Sequence, residues 1–186
     1  MNSSSRFQDG SRRSEAGGAE RNERLDGGEL TTHSGWPSTT VVDETVIHHP
    51  PIRIIKLGGS LMDKTEMPAE LHAWLSRQQP AGNIIIAGGG RMTDEVREWD
   101  RRHVLGEVAA HWLCVHVMSI TARASAAMLG NVPLADSLVE AMGCAAQRAL
   151  CVLDVARFLR NDEPQRGGTR IAHDWSVSSD SIAARV

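Results

Sequence analysis

Apolar residues are isolated up to residue 40 and dense from residue 52 onward. Ile52-Arg53-Ile54-Ile55-Lys56-Leu57 is a short apolar run that predicts a strand, closed by Gly58-Gly59. Leu71, Trp74 and Leu75 recur at helical spacing and predict a helix over 68–78, with Pro68 suited to its first turn. Asn83-Ile84-Ile85-Ile86-Ala87 predicts a second strand, closed by Gly88-Gly89-Gly90. Helices follow over 93–103, over 107–129 with Trp112, Val115, Ala122, Ala126 and Leu129 along one stripe, and over 136–147. Ala149 to Leu153 reads as a third strand, with a short helix over 155–160 behind it. Near-continuous apolar strands alternating with helices are the pattern of a mainly parallel sheet covered on both faces, so the expected class is α/β.

Residues 1–40 are rich in Ser, Gly, Arg and Glu, with Phe7, Leu25, Leu30 and Trp36 standing alone. Such a stretch buries too little apolar area to offset the entropy of ordering it, so residues 1–50 are expected to be a disordered tail. A misplaced start codon is the alternative. Val41 to Pro51 reads as a transition, and Pro50-Pro51 marks the entrance to one domain over 51–186.

Charge and composition narrow the function classes. A net charge of −3 and a pI near 6.2 argue against a nucleic-acid partner, and the one basic stretch, Arg97 to His103, also holds Glu98 and Asp100. No run approaches the roughly 18 apolar residues of a membrane span, and the start lacks the apolar stretch of a secretory signal. Cys114, Cys144 and Cys151 sit among apolar residues with no CxxC spacing and read as small buried hydrophobes of a reducing cytoplasm. His48-His49 point apart on any regular element, and no HxxxH or HExxH occurs, so no metal site is expected.

Candidate chemistry gathers at the strand ends. Two glycine clusters close the first two strands, at the sheet edge where open parallel sheets bind ligands. Glycine brings backbone N–H groups close to an anion, and the following helix aims its positive end at the same place. Two such clusters suggest an extended anion or two phosphate-bearing ligands side by side. Lys56 lies in an apolar run where burying a cation is costly; it either marks an exposed edge strand or reaches a transferring phosphate. Asp180 is either the cap of a helix beginning at Ser178-Ser179-Asp180 or a working carboxylate. Trp112 and Trp175 serve packing or substrate stacking, and His111 is a core histidine or a contact to an anionic acceptor. Neither GxxxxGK[ST] nor GxGxxG occurs, which disfavours a P-loop protein and a dinucleotide-binding oxidoreductase.

Lys56-Leu57-Gly58-Gly59-Ser60 after an apolar strand, followed by Ile84-Ile85-Ile86-Ala87-Gly88-Gly89-Gly90, resembles the opening of the amino acid kinase superfamily, which includes acetylglutamate, aspartate, glutamate 5-, uridylate and carbamate kinases. Ser178-Ser179-Asp180-Ser181-Ile182-Ala183-Ala184 is similar to that family's later motif with a central Asp. Asp174-Trp175-Ser176-Val177 before it, with Ala110-His111-Trp112, looks closer to the branch containing the archaeal kinase of methanofuran biosynthesis. The resemblance spans residues 52–186 and implies a three-layer, acetylglutamate kinase-like sandwich, an ATP-dependent transfer to a small phosphate- or carboxylate-bearing acceptor, and Mg2+ carried by the nucleotide. It implies that Lys56 contacts the phosphoryl group in flight and that Gly58, Gly59 and Ser60 donate to the nucleotide's terminal phosphates. Gly88, Gly89, Gly90, Ser178 and Ser179 would hold the acceptor, and Asp180 would organise the catalytic lysines. The implied partner is a small molecule, and a homo-oligomer is admitted. In the family a nucleotide-binding half follows the Asp motif, whereas this sequence ends at Val186, so the nucleotide lobe is expected to be incomplete. The alternative is a non-catalytic domain that binds a small anion or pairs with a partner chain.

Overall fold

The computed structural model describes residues 50–186. Four strands form one all-parallel sheet: β1 (Ile52–Leu57), β2 (Gly82–Ala87), β3 (Leu134–Ala135) and β4 (Leu150–Leu153), in the spatial order β1-β2-β4-β3. Six helices accompany them among the described residues: α1 (Met67–Ser76), α2 (Arg91–His103), α3 (Glu107–Met128), α4 (Leu138–Ala146), the single turn α5 (Val155–Arg157) and α6 (Ser179–Arg185). None of them is long and apolar enough to cross a membrane. The tail expected over residues 1–50 lies outside the described residues, apart from Pro50.

The period of two in β2 divides the core. Ile84 and Ile86, with Cys151 and Leu153 of β4, face Ala141 and Ala145 of α4, Phe158, Leu159 and Ile182 of α6. Ile85 and Ala87, with Leu57 and Val152, face Met67 of α1 and Ala122, Ala126 and Leu129 along α3. Both faces of the central strands are therefore covered, which is the three-layer α/β arrangement, and it explains why β2 needs no polar alternation. Each fully buried Ile or Leu contributes roughly 1.5–3 kcal/mol from removal of apolar surface. β1 is an edge strand among the described residues, with Ile52 and Ile54 part-exposed on the face that also carries Lys56.

Several boundaries differ from the sequence reading, each for a local reason. The third strand in the chain is the two-residue β3, which follows Pro133 and is too short for any periodicity to announce. The helix expected over 136–147 starts only at Leu138, because Ser137 is its cap and accepts from the Glu140 N–H. The segment expected as a helix over 155–160 is one α-turn, capped by Asp154, that widens through Phe158–Asp162 and tightens at Glu163–Gln165. The Glu163-Pro164 step ends any regular helix there. Of the three cysteines only Cys151 is buried; Cys114 and Cys144 are half-buried.

Gly82, at the start of β2, permits the closest approach of α4 to the sheet, since a Cβ there would lie 2.1 Å from the Ala145 carbonyl oxygen. Gly143, on the exposed side of α4, faces open space. The pair makes a test of this packing by urea denaturation. Gly143→Ala is expected to stabilise the protein by about 0.5–1 kcal/mol through helix propensity. Gly82→Ala is expected to destabilise it by about 1–3 kcal/mol, the usual cost of overpacking.

Candidate active site

The parallel register pairs Lys56 with Ile86 and Leu57 with Ala87, so β1 and β2 end level with each other. Their two glycine turns leave the sheet side by side and meet backbone to backbone. A Cβ on Gly59 would lie 2.1 Å from the Gly90 nitrogen, and one on Gly90 would lie 2.9 Å from the Gly59 carbonyl carbon. Gly90 also takes φ 60° and ψ −149°, a backbone region essentially reserved for glycine, and from it caps α2. Gly58, by contrast, has room for a side chain. Beyond Gly59 the chain winds into a short 3-10 turn (Gly59–Asp63), and Arg91 at the start of α2 pairs with Asp63 at 3.1 Å, tying the two turns together on their outer side.

The first N–H groups of a helical turn have no acceptor within that turn. Those after Gly58 and those at the start of α2 therefore border the same space, and the macrodipole of α2 favours negative charge there. That space is a cavity of about 790 Å³ at the carboxyl edge of β1 and β2. Lys56, Gly58, Gly59, Ser60, Gly88, Gly89, Gly90, Ser178 and Ser179 all line it. Asp180 joins through its contact with Lys56: Nζ stands 3.3 Å from Asp180 Oδ2. Every site residue picked from the sequence is thus gathered around one cavity. A terminal phosphate fits this donor set, with glycine backbone where a Cβ would fill the cradle and an ammonium group beside it. Among the described residues no three His, Cys, Asp or Glu side chains cluster to hold a metal ion.

Asp180 does not cap its helix. Ser178 is the cap, in a reciprocal box with Ser181, and this leaves the Asp180 carboxylate in the first turn free to reach across to Lys56. The ion pair is open to solvent, with the two side chains 32% and 69% exposed, and such a pair contributes only about 0–1 kcal/mol to stability. It cannot hold α6 in place. Two other groups do. Ile182 is buried in the core, and the Arg185 guanidinium spreads its nitrogens over Glu163 Oε1 at 3.1 Å, Gly167 O at 2.9 Å and Arg166 O at 3.4 Å. Glu163, itself buried, also accepts from the Ile171 N–H. The sequence reading missed this clamp, because Glu163 and Arg185 lie 22 residues apart with nothing local to mark them.

The outer wall of the cavity is made by α2, α3 and the loop before α6. Trp175 donates from Nε1 to Asp100 Oδ2 at 2.9 Å, and Arg97 lies over its ring at 5.6 Å. Trp175 therefore borders the cavity as a pinned wall residue, while Trp112 packs against the core under Arg160. Cys114 also lines the cavity, and burial pushes its thiol up, away from nucleophilic use. His111 is 4% exposed, reaches the same cavity, and brings Nδ1 to 3.3 Å from the Asp174 carbonyl oxygen. Burial lowers its pKa, and its neighbour His173, stacked at 5.3 Å, pushes the same way. At the other side of the loop, hydrogen bonds from Ser176 hold the Asp174 carboxyl below its ordinary value.

No protein-family model matches the chain, and no curated protein matches it.

Two measurements probe this geometry. Gly59→Ala should lose several degrees of Tm and any anion affinity of the cavity, because its neighbour is backbone and cannot turn aside, whereas Gly58→Ala should keep the Tm within about a degree. The second concerns His111, which faces His173, the Asp174 carbonyl and the Asp174 carboxylate. An unfolded imidazole takes up its proton below about 6.5, and the folded one resists to lower pH, so the unfolded state binds more protons in that window. The stabilisation is complete above the unfolded value and declines as pH falls toward the folded one. Urea denaturation at about pH 7.5 and about pH 5.5 should therefore show a shallower pH dependence for His111→Gln than for the wild type.

Proposed function

We propose that residues 52–186 form the phosphoryl-handling, acceptor-side lobe of an ATP-dependent small-molecule kinase of the amino acid kinase type. The observation that carries this reading is the meeting of the two glycine turns in backbone contact, with the Lys56–Asp180 pair on the rim of the same cavity. Phosphoryl transfer asks little covalent chemistry of a protein; it asks for alignment and for positive charge against the equatorial oxygens. ATP, with its own Mg2+, supplies the phosphoryl group when bound. On this reading Lys56 neutralises charge on the group in transit, and Asp180 keeps the ammonium aimed at the turns. The Gly58-Gly59-Ser60 backbone takes the donor's terminal phosphates. Gly88-Gly89-Gly90 takes the acceptor side, where the Ser179 hydroxyl already lies against Gly88. The cavity volume is in the range of small-molecule sites.

The reading is tested by isothermal titration of the protein with pyrophosphate and with Mg-ATP. Wild type should bind both, and Lys56→Ala should weaken pyrophosphate by about tenfold or more, equivalent to about 1.4 kcal/mol. Asp180→Asn should change it by less than that in either direction, since the carboxylate acts only through Lys56. If neither probe binds the wild-type chain, the kinase reading is lost. If pyrophosphate binds in a Lys56-dependent way but Mg-ATP does not, the domain is an anion-binding module without transfer activity.

A further inference from the structure

His111 leaves one polar atom unanswered. Its Nε2 is buried and has no hydrogen-bond partner among the described residues, while the residue lines the same cavity as Lys56 and the glycine turns. A buried polar group without a partner costs about as much as a broken hydrogen bond, so such an atom marks either strain or a place for a ligand. Its chemistry follows from the other ring nitrogen. The partner of Nδ1 is the Asp174 carbonyl oxygen, which has no proton to give, so Nδ1 carries the hydrogen. Burial disfavours the imidazolium. Nε2 therefore presents a lone pair, held in orientation by the Asp174 bond, by His173 stacked on the ring and by Trp112 edge-on to it at 5.8 Å. A lone pair does not attract a carboxylate or a doubly ionised phosphate monoester, whose oxygens only accept. An anionic contact, one of the two roles open to His111 from the sequence, does not suit this atom. A donor does.

We propose that His111 is a specificity-determining binding residue whose Nε2 accepts a hydrogen bond from an N–H or O–H group of the acceptor molecule, at a point of the cavity separate from the phosphate cradle. The acceptor then has two ends, an anionic one at the glycine turns and a hydrogen-bond donor at His111. The anionic end rests on the function proposed above; the donor end rests on His111 alone.

The experiment uses three probe series of two to five carbons: ω-aminoalkyl phosphates, ω-hydroxyalkyl phosphates and plain alkyl phosphates, with the matching ω-amino alcohols as probes that lack phosphate. Binding is measured by titration calorimetry on the whole chain, wild type, His111→Phe and His111→Gln. At the chain length that spans the two points, a donor-ended phosphate should bind about tenfold tighter than the alkyl phosphate of equal length. That preference should vanish in His111→Phe and persist in His111→Gln, whose amide oxygen can accept in place of Nε2. Amino against hydroxyl members show which donor is preferred. Long-range 15N–1H correlation spectra of the wild type give a second readout that needs no variant to fold: the His111 Nε2 resonance should move with donor-ended probes and stay with alkyl phosphates. Absence of a donor preference at every length, its survival in His111→Phe, or an unmoved Nε2 resonance overturns the proposal. Equal, Lys56-dependent binding of all three phosphate series overturns it while the phosphate cradle stands. Binding of amino alcohols with no gain from phosphate supports the His111 contact and sinks the cradle.

Discussion

The contact between the backbones of Gly59 and Gly90 is the constraint on which the site depends. Two parallel strands that end in register deliver their turns to the same place, and side chains on those turns would normally keep them several ångströms apart. With glycine at both positions, main chain meets main chain, and the N–H groups behind each turn open onto one space instead of two. Lys56 then needs no special placement. It is the penultimate residue of β1, one step before the turn, and the strand itself carries its ammonium to the edge where the turns lie.

The opposite side of the cavity is assembled from parts distant in sequence, and each is fixed by a different kind of force. The helix bearing Asp180 is anchored by a buried leucine-sized side chain at Ile182 and by the Arg185–Glu163 clamp, a pair with side chains only 17% and 3% exposed. Removing one partner from so buried a pair leaves an uncompensated charge, which is why such pairs hold geometry even where their net stabilisation is small. The exposed Lys56–Asp180 pair is the opposite case: weak as a support, and free to exchange partners when an anion arrives. A rigid frame thus carries a soft ion pair, which is what the role proposed for Lys56 beside a phosphoryl group asks for.

The third wall shows the same division between anchor and surface. Trp175 is pinned across 75 residues to Asp100, which fixes the loop leading into α6 against α2. Asp154, buried at the end of β4, accepts from the Ser119 hydroxyl at 2.5 Å and pairs with Arg123 at 3.1 Å, locking α3 to the sheet. With α3 held there, the first half of that helix presents His111, Cys114 and Met118 to the cavity while its second half covers the other side of the sheet.

The sequence by itself determined what depends on neighbours in the chain. Unbroken apolar runs required strands covered on both faces, glycine after the first two runs required tight turns, and parallel strands required those turns to share an edge. From these followed the α/β class, the strand β1 with its lysine, and the meeting of Lys56 and both glycine clusters at one edge; the Ser178–Asp180 segment joined that candidate site only through its resemblance to the kinase motif. Tertiary structure decided what depends on the competition between groups far apart. Ser178, not Asp180, won the cap because its hydroxyl and that of Ser181 close a local box, and this released the carboxylate for Lys56. The Glu163–Arg185 clamp, the Trp175–Asp100 tie and the two-residue strand β3 have no periodicity to reveal them. Their partners are brought together only when the sheet and its helices have packed. The state of His111 belongs to the same group: a histidine in an apolar helix can be cation, donor or acceptor, and the Asp174 carbonyl 63 residues away decides among them.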